Sequence, residues 1–278
     1  MRLRSLIFVP GDRPERFEKA LASGADAVIL DLEDSVAPAN KPKARDSVHA
    51  FTLHHAGDTN LLVRINPLTS PAFEDDLAAL TGLHPFAIML PKAEGAASVR
   101  KLASSLASAI PILPIATETP AAIFEIGSYR EVATSLCGLT WGAEDLSAAT
   151  GAATARRTDG RYTPPYELAR SLTLFAAHAA AVPAIDTVYP DFRDLSGLRA
   201  YVGRARRDGF SGMMAIHPTQ VETINQAFTP DASEIAWAEK VTAAFAARPG
   251  AGVIQLDGRM LDLPHHKLAL RILEISGR

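Results

Sequence analysis

The sequence predicts a (β/α)8 barrel, an α/β fold in which eight parallel strands alternate with helices. Eight short apolar runs recur along the chain, as expected for parallel strands that are buried on both faces. These runs are residues 6–9, 27–32, 61–65, 87–90, 112–116, 136–141, 184–188 and 212–216. A helical pattern follows each run, and eight β-α units favour a closed barrel over the alternative, an open doubly wound sheet.

The helices of this barrel are predicted from their patterns and start signals. Pro14 and Pro165 stand where a first-turn proline is tolerated, and Thr163 and Thr219 are suitable N-caps. The predicted helices are residues 14–22, 43–54, 73–80, 96–106, 121–126, 165–180, 195–206 and 219–227. Residues 146–164 exceed what the barrel needs, and we expect a long loop there at the C-terminal face.

Two domains are predicted. Residues 1–229 form the barrel, and residues 230–278 form a C-terminal helical extension. The extension contains a helix over residues 234–247, a strand over residues 253–256 and a last helix that begins at His265. We expect it to pack on the barrel or on a neighbouring subunit.

Composition excludes several classes of protein. The 278 residues include 28 Lys and Arg against 31 Asp and Glu, so a net charge of −3 offers no attraction for nucleic acid. The longest uncharged stretch, residues 102–117, has 16 residues and two prolines, whereas a membrane span needs about 18–20 apolar residues. A single cysteine, Cys137, excludes an internal disulfide and a cysteine-based zinc site. We therefore expect a soluble, cytoplasmic, globular protein without a signal peptide.

Polar side chains follow five of the predicted strands, at the point where each strand ends. These segments are residues 31–34, 64–66, 91–94, 117–120 and 142–145. In a (β/α)8 barrel the C-terminal ends of the strands carry the active site. The sequence therefore places the chemistry at this rim.

Glu118 and Asp145 stand at the ends of two consecutive strands, which are expected to lie about 4.8 Å apart. Two carboxylates completed by water and substrate oxygens are a typical arrangement for Mg²⁺. The alternative is that both cap the following helices or pair with Lys92 and Arg64.

Arg64 is the candidate clamp for an anionic substrate, because its guanidinium matches a carboxylate with two parallel hydrogen bonds. A salt bridge to Asp34 or Glu33 is an equally good interpretation. Asp31, Glu33 and Asp34 are too many carboxylates for one role. We expect some to pair with Arg64 or Lys92, or to orient the water around a metal ion.

The strand ends resemble the citrate lyase β-subunit-like branch of the HpcH/HpaI aldolase superfamily, nearly from end to end. The resemblance is carried by six blocks in order, residues 6–16, 29–36, 63–66, 89–92, 118–120 and 142–146. It implies an oligomeric barrel, a homotrimer or hexamer, with Mg²⁺ (or Mn²⁺) held by Glu118 and Asp145. It also implies that Arg64, with Glu118, contacts the substrate, and that Arg64 steadies a developing enolate. Glu33, Asp34 and Lys92 would orient these residues without contacting the metal ion or the substrate themselves.

The resemblance further implies a substrate class. Members act on thioesters of coenzyme A or an acyl-carrier protein, and make or break the C–C bond between an acetyl-type thioester and a 2-oxo acid. Residues 257–264 resemble the tail of the malyl- and citramalyl-CoA lyases, in which the aspartate matching Asp262 reaches a neighbouring subunit as acid or base. Arg13, Arg16 and Lys19 resemble the region that meets coenzyme A phosphates.

We therefore expect a Mg²⁺-dependent C–C lyase for a malyl-CoA, citramalyl-CoA or citryl thioester. Three related activities stay open: a pyruvate aldolase for 4-hydroxy-2-oxo acids, a malyl-CoA thioesterase, and a citryl-lyase subunit that uses a carrier protein. A non-catalytic protein that binds a coenzyme A ester is the alternative from a different class.

Overall fold

The computed structural model describes residues 2–57 and 60–277, and seven of its strands form one parallel sheet. The strands are β1 (Ser5–Pro10), β2 (Ala27–Asp31), β3 (Leu61–Arg64), β4 (Ala87–Leu90), β5 (Ile112–Pro114), β6 (Ile185–Asp186) and β7 (Gly212–Ala215). Their order is β5-β4-β3-β2-β1-β7-β6, and every neighbouring pair is parallel.

The sheet closes into a barrel through residues 136–140, which occupy the eighth strand position between β5 and β6. Single parallel bridges join Leu136 to Ile112, Thr140 to Ile115 and Leu139 to Ala184. The N–H of Ile185 donates to the Leu139 carbonyl at 2.9 Å on the β6 side. The predicted strand over residues 136–141 thus lies where expected, as isolated bridges instead of a continuous ladder. The predicted (β/α)8 barrel is confirmed.

Helices follow the strands close to the predicted positions. They are α1 (Phe17–Leu21), α2 (Lys41–His54), α3 (Phe73–Ala79), α4 (Gly95–Ser105), α5 (Pro120–Glu125), α6 (Glu144–Ala149), α7 (Pro164–Ala179), α8 (Leu195–Asp208) and α9 (Pro218–Phe228). Short 3-10 helices cover Pro14–Arg16, Pro38–Asn40 and Ile126–Ser135. None of the helices in the described ranges is both long enough and apolar enough to span a membrane.

The long segment after residue 142 differs from the predicted loop. Helix α6 occupies its start, and an antiparallel bridge between Arg156 and Tyr162 folds its second half into a hairpin-like turn. The guanidinium of Arg156 donates to the Tyr162 hydroxyl at 2.6 Å and lies 4.1 Å from the centre of its ring. These local contacts give the segment a defined structure that apolar periodicity does not reveal.

The barrel interior explains why the strands read as continuous apolar runs. Every residue of β2, β4 and β7 is buried. One interior cluster takes a side chain from most strands, including Leu6, Ile29, Leu62, Met89 and Leu113. Both faces of each strand are therefore packed, one against the interior and one against a helix.

The chain divides into two compact units, residues 1–225 and residues 226–278. The second unit contains α10 (Ala232–Ala246), β8 (Val253–Leu256), β9 (Arg259–Asp262) and α11 (Leu263–Ser276) around a core of its own. Strand β9 was not predicted. It pairs with β8 across Asp257 and Gly258, whose positive φ angles of 48° and 76° build a two-residue hairpin turn.

Gly212 in β7 provides a test of barrel closure. A Cβ at this position would lie 1.8 Å from the carbonyl oxygen of Leu3, which is backbone and cannot rotate away. We expect Gly212→Ala to lower the free energy of unfolding by about 1–3 kcal/mol or more, measured by urea denaturation. In the matched variant Gly203→Ala, the nearest atom is a mobile Arg207 nitrogen at 3.6 Å. Because Gly203 lies within helix α8, its replacement by Ala should raise the free energy of unfolding by up to about 1 kcal/mol. Equal effects of the two substitutions would contradict the packing argument.

Candidate active site

The C-terminal ends of five consecutive barrel positions carry the charged residues that the sequence singled out. Asp31 ends β2 and Arg64 ends β3, and the two residues are directly paired in the parallel register. Lys92 follows β4, Glu118 follows β5, and Asp145 follows residues 136–140. The strands are parallel, so these side chains meet at one rim.

Arg64 is fixed by a bidentate ion pair with Asp31. Its Nε and Nη2 donate to the two carboxylate oxygens, each at 2.6 Å. Burial favours a raised pKa for Asp31, but the charge and hydrogen bonds of Arg64 outweigh burial and hold the pKa below its usual range. The guanidinium carbon lies 4.8 Å from the ring centre of Phe8. Of the three carboxylates that the sequence offered as partners for Arg64 or Lys92, Asp31 and Glu33 pair with Arg64, while Asp34 lies nearer Lys92.

Glu33 stands between Arg64 and Lys92. Its Oε1 accepts from Nζ of Lys92 at 2.6 Å, and Nη1 of Arg64 lies 2.9 Å from its Oε2. The second contact is an ion pair in which the N–H is not aimed at the oxygen, so this buried Oε2 accepts no hydrogen bond from the described residues. Burial raises the pKa of Glu33, and the two neighbouring cations oppose that rise. The Nη1 protons of Arg64 thus stay available to another acceptor.

Lys92 contacts four of the acidic side chains, Glu33 among them. Its backbone N–H donates to Oε2 of Glu118 at 2.6 Å, and its Nζ also lies 3.2 Å from Asp145 and 3.8 Å from Asp34. The residue has a φ of +50°, in the left-handed region that a non-glycine residue seldom adopts. This backbone conformation occurs at the residue that contacts the acidic cluster through both its main chain and its side chain.

The Glu118 carboxyl group has a strongly raised pKa. It is only 4% exposed, and burial, reinforced by the charges of Asp145 and Glu33, raises its pKa to about 8 despite the Lys92 backbone N–H. Gly142 leaves the space that Glu118 occupies, because a Cβ there would lie 2.9 Å from Glu118 Cγ. The carboxylate is therefore enclosed and short of positive charge.

The charge balance of the rim fits a divalent cation. When all four carboxylates, Asp31, Glu33, Glu118 and Asp145, are ionised, they face two cationic side chains, Arg64 and Lys92, which leaves two excess negative charges. The described ranges contain no group of three or more His, Cys, Asp or Glu arranged to hold a metal ion. A cation here would thus use two carboxylates and take its remaining ligands from water and substrate, as Mg²⁺ commonly does.

Four further residues were predicted, Arg13, Arg16, Lys19 and Asp262. Arg13, Arg16 and Lys19 are exposed just after β1. Asp262 belongs to the second unit, where it caps α11 and lies 2.5 Å from Nδ1 of His265. That hydrogen bond lowers the pKa of Asp262.

Sequence reasoning missed Lys41, which ties together the ends of β2 and β3. Its Nζ donates to the carbonyls of Leu32 and Glu33, at 2.8 and 3.1 Å, and to Oδ1 of Asn66 at 2.8 Å. All three acceptors lie at the rim. A lysine in the first turn of a helix carries no sequence signal for this role.

Comparison with known proteins gives a consistent result. A sequence model of the family described as HpcH/HpaI aldolase/citrate lyase matches residues 4–218. The citrate lyase subunit beta-like protein of Mycobacterium tuberculosis is 40% identical over 271 residues, covering 98% of this chain and 94% of that protein. A (3S)-malyl-CoA thioesterase of Cereibacter sphaeroides is 34% identical over 270 residues, covering 94% and 90%.

The fold is also similar to a solved structure. Crystalline CitE from Mycobacterium tuberculosis, in complex with magnesium, acetoacetate and coenzyme A, superposes with a TM-score of 0.83. The two chains are 37% identical, and the match covers 99% of this chain and 98% of that one.

The raised pKa of Glu118 predicts how stability depends on pH when divalent cations are removed with EDTA. Between the usual glutamate pKa and about 8, the folded protein keeps a proton that the unfolded chain releases. The free energy of unfolding therefore falls as the pH rises, by up to about 1.4 kcal/mol per unit from this group. Glu118→Gln removes the fall, so the variant should be more stable than the wild type at pH 8.5, with the difference shrinking towards pH 5.

Thermal unfolding at the two pH values measures this difference. The matched variant is Glu94→Gln. Glu94 is exposed and, like Lys92, follows the end of β4. It should follow the wild type at both pH values. If Glu118→Gln shows the same pH dependence of stability as the wild type, the pKa of Glu118 is not raised in the folded protein.

Proposed function

The chain belongs to the HpcH/HpaI aldolase/citrate lyase family, and we propose that it is a Mg²⁺-dependent lyase for a 3-hydroxyacyl thioester. In the cleavage direction, the bond between the thioester α-carbon and the hydroxyl-bearing carbon breaks. The products are a 2-oxo acid and an acetyl-type thioester. Malyl-CoA and citramalyl-CoA are the substrates that we propose first.

One observation carries this proposal, the excess negative charge around Glu118 and Asp145. Glu118 accepts a hydrogen bond only from the Lys92 backbone among the described residues, while Asp145 is one-third exposed and faces the same lysine. These two carboxylates would hold the ion, with Glu118 also against the substrate. When bound, Mg²⁺ supplies Lewis-acid chemistry to the hydroxyl and carboxylate of the substrate.

Arg64 would bind the oxo-acid carboxylate and stabilise the enolate that develops as the C–C bond breaks. Asp31 holds its Nε and one Nη2 proton, so the orientation of the guanidinium is fixed before substrate arrives. The Nη1 protons and the second Nη2 proton donate to none of the described residues. Donors that are already oriented lose little free energy to reorganisation during the reaction.

Lys92 and Glu33 would act by keeping this arrangement in place. Lys92 holds Glu118 through its N–H and Asp145 through its ammonium, and Glu33 holds that ammonium at 2.6 Å. Asp34 contributes a longer contact of 3.8 Å to Lys92. These residues support the charged groups and need not touch the reacting atoms.

Asp262 is proposed as the acid that protonates the enolate carbon, and as the base that removes the same proton in the condensation direction. Its low pKa, due to His265, keeps the carboxylate ionised at neutral pH, which is the form that a base requires. We propose that it acts in the site of a neighbouring subunit of a homotrimer or hexamer. Arg13, Arg16 and Lys19 are exposed cations after β1, suited to the phosphates of coenzyme A.

The first test is turnover of malyl-CoA and citramalyl-CoA, with Mg²⁺ and with EDTA. We expect Mg²⁺-dependent release of glyoxylate or pyruvate together with acetyl-CoA. Asp145→Asn should lower kcat/KM at least about 100-fold by removing one of two protein ligands. Glu144→Gln, one residue away and exposed, should retain wild-type activity.

The products distinguish the competing activities. Release of free coenzyme A with a hydroxy acid and no oxo acid would establish a thioesterase. Turnover of a 4-hydroxy-2-oxo acid alone would establish an aldolase. Binding of coenzyme A without turnover of any of these compounds would indicate a non-catalytic protein.

Asp262 is tested by subunit complementation. Asp262→Asn should lower kcat by roughly 100-fold or more, since general acid–base groups contribute 10²–10⁴-fold, and should leave Mg²⁺ affinity unchanged. Mixing this variant with Asp145→Asn, followed by subunit exchange, should restore activity if each Asp262 serves a neighbouring site. Failure to restore activity in verified mixed oligomers would place Asp262 in its own subunit's site or outside catalysis.

A further inference from the structure

A second charged cluster lies between strand β6 and the helices α7 and α8, and it has no part in the reaction proposed above. Asp186, the last residue of β6, is fully buried and accepts hydrogen bonds on both carboxylate oxygens. Oδ2 accepts from Nε and Nη2 of Arg170, at 3.0 and 2.8 Å. Oδ1 accepts from Nε1 of Trp141 at 2.6 Å, the Tyr201 hydroxyl at 3.2 Å and the Thr187 N–H at 2.9 Å.

Arg170 is itself held in place, so Asp186 has little freedom to move. Arg170 is 3% exposed, bonds Asp208 at 2.6 Å and lies over the ring of Phe210 at 4.5 Å. A buried ion pair adds little net stability compared with apolar packing, because desolvation offsets its attraction. Its effect is to fix the position of the groups that bond to it.

Trp141 connects this cluster to the rim. It is fully buried, directly precedes Gly142, and lies four residues before Asp145. Gly142 in turn lies against Glu118, where a Cβ would come within 2.9 Å of Cγ. One short segment therefore provides both the space for one proposed metal ligand and the second ligand itself.

This segment has few other polar attachments. Across the described residues, neither the backbone N–H nor the C=O of Trp141 or Gly142 forms a hydrogen bond. At these two residues, the polar contact among the described residues is the indole N–H of Trp141, which donates to Asp186. Packing adds an edge-on contact of the indole with Tyr162, with ring centres 5.0 Å apart.

We propose that Asp186 is a positioning residue that sets the affinity of the rim for its divalent cation, by fixing Trp141 and with it residues 141–145. The inference rests on the proposed function, because it assumes that Glu118 and Asp145 bind the ion. Asp186 itself touches neither the ion nor the substrate.

The test compares two variants that each remove one donor to the same oxygen of Asp186. Trp141→Phe removes the indole N–H, and Tyr201→Phe removes the hydroxyl, while both keep an aromatic ring. Only Trp141 is continuous with the metal-binding segment, since Tyr201 lies on α8. Calorimetric titration with MgCl₂ alone should show a Kd raised roughly tenfold in Trp141→Phe, as for other groups that orient metal ligands. Tyr201→Phe should stay within about twofold of the wild type.

A second measurement applies if Trp141→Phe does not fold. The chain has two tryptophans, Trp141 and Trp237, so Trp237→Phe leaves Trp141 as the single fluorophore. Because Asp186 holds the indole in place, the emission of Trp141 should stay constant on titration with MgCl₂ to saturation. A change in emission with the midpoint found by calorimetry would show that Trp141 moves when the ion binds, and would overturn the proposal.

The outcomes also separate this inference from the proposed function. An unchanged Mg²⁺ affinity in Trp141→Phe, or an equal loss in both variants, would show that the Asp186 cluster serves the core alone. Absence of Mg²⁺ binding in the wild type would overturn the proposed function, and this inference with it.

Discussion

The ion pair between Asp31 and Arg64 is the interaction on which the rim depends. The two residues end neighbouring parallel strands and are register partners, so the pair joins β2 to β3 at the last register pair of their ladder. Asp31 also accepts the backbone N–H groups of Glu33 and Ser35, at 2.9 and 3.2 Å. One buried carboxylate therefore orients the guanidinium and turns the chain so that Glu33 faces Lys92. Removal of the Arg64 charge would leave the Asp31 carboxylate buried without an ion-pair partner, which costs several kcal/mol.

Glu118 is placed by two unusual backbone positions. Lys92 is left-handed, a conformation that costs of order 1–3 kcal/mol in a non-glycine residue. Its N–H nevertheless donates to Glu118 at 2.6 Å, while Gly142 on the other side leaves room for the side chain. The carboxylate is therefore held by main-chain geometry, and its charge is left uncompensated by any cation in direct contact within the described structure.

The sequence predicted the barrel well because burial on both faces gives each strand a continuous apolar run. It also predicted which strand ends carry charge. It did not decide which carboxylate pairs with Arg64, because that depends on register and on the turn after β2, where Asp34 points to Lys92 instead. The bond from Trp141 to Asp186 spans 45 residues and leaves no local pattern.

The two charged clusters differ in a way that relates stability to binding. The Asp186 carboxylate is balanced by Arg170 and satisfied by five donors, so it imposes no repulsion on the fold. With Glu118 ionised, the rim has two more negative charges than positive ones. The resulting repulsion destabilises the folded state alone, since the unfolded chain separates the charges. A cation that binds only the folded state removes the repulsion and adds stability in proportion to RT ln(1 + [L]/Kd). The Asp186 cluster can therefore fix the backbone next to the rim. The rim itself keeps an excess of negative charge, to which a cation can bind.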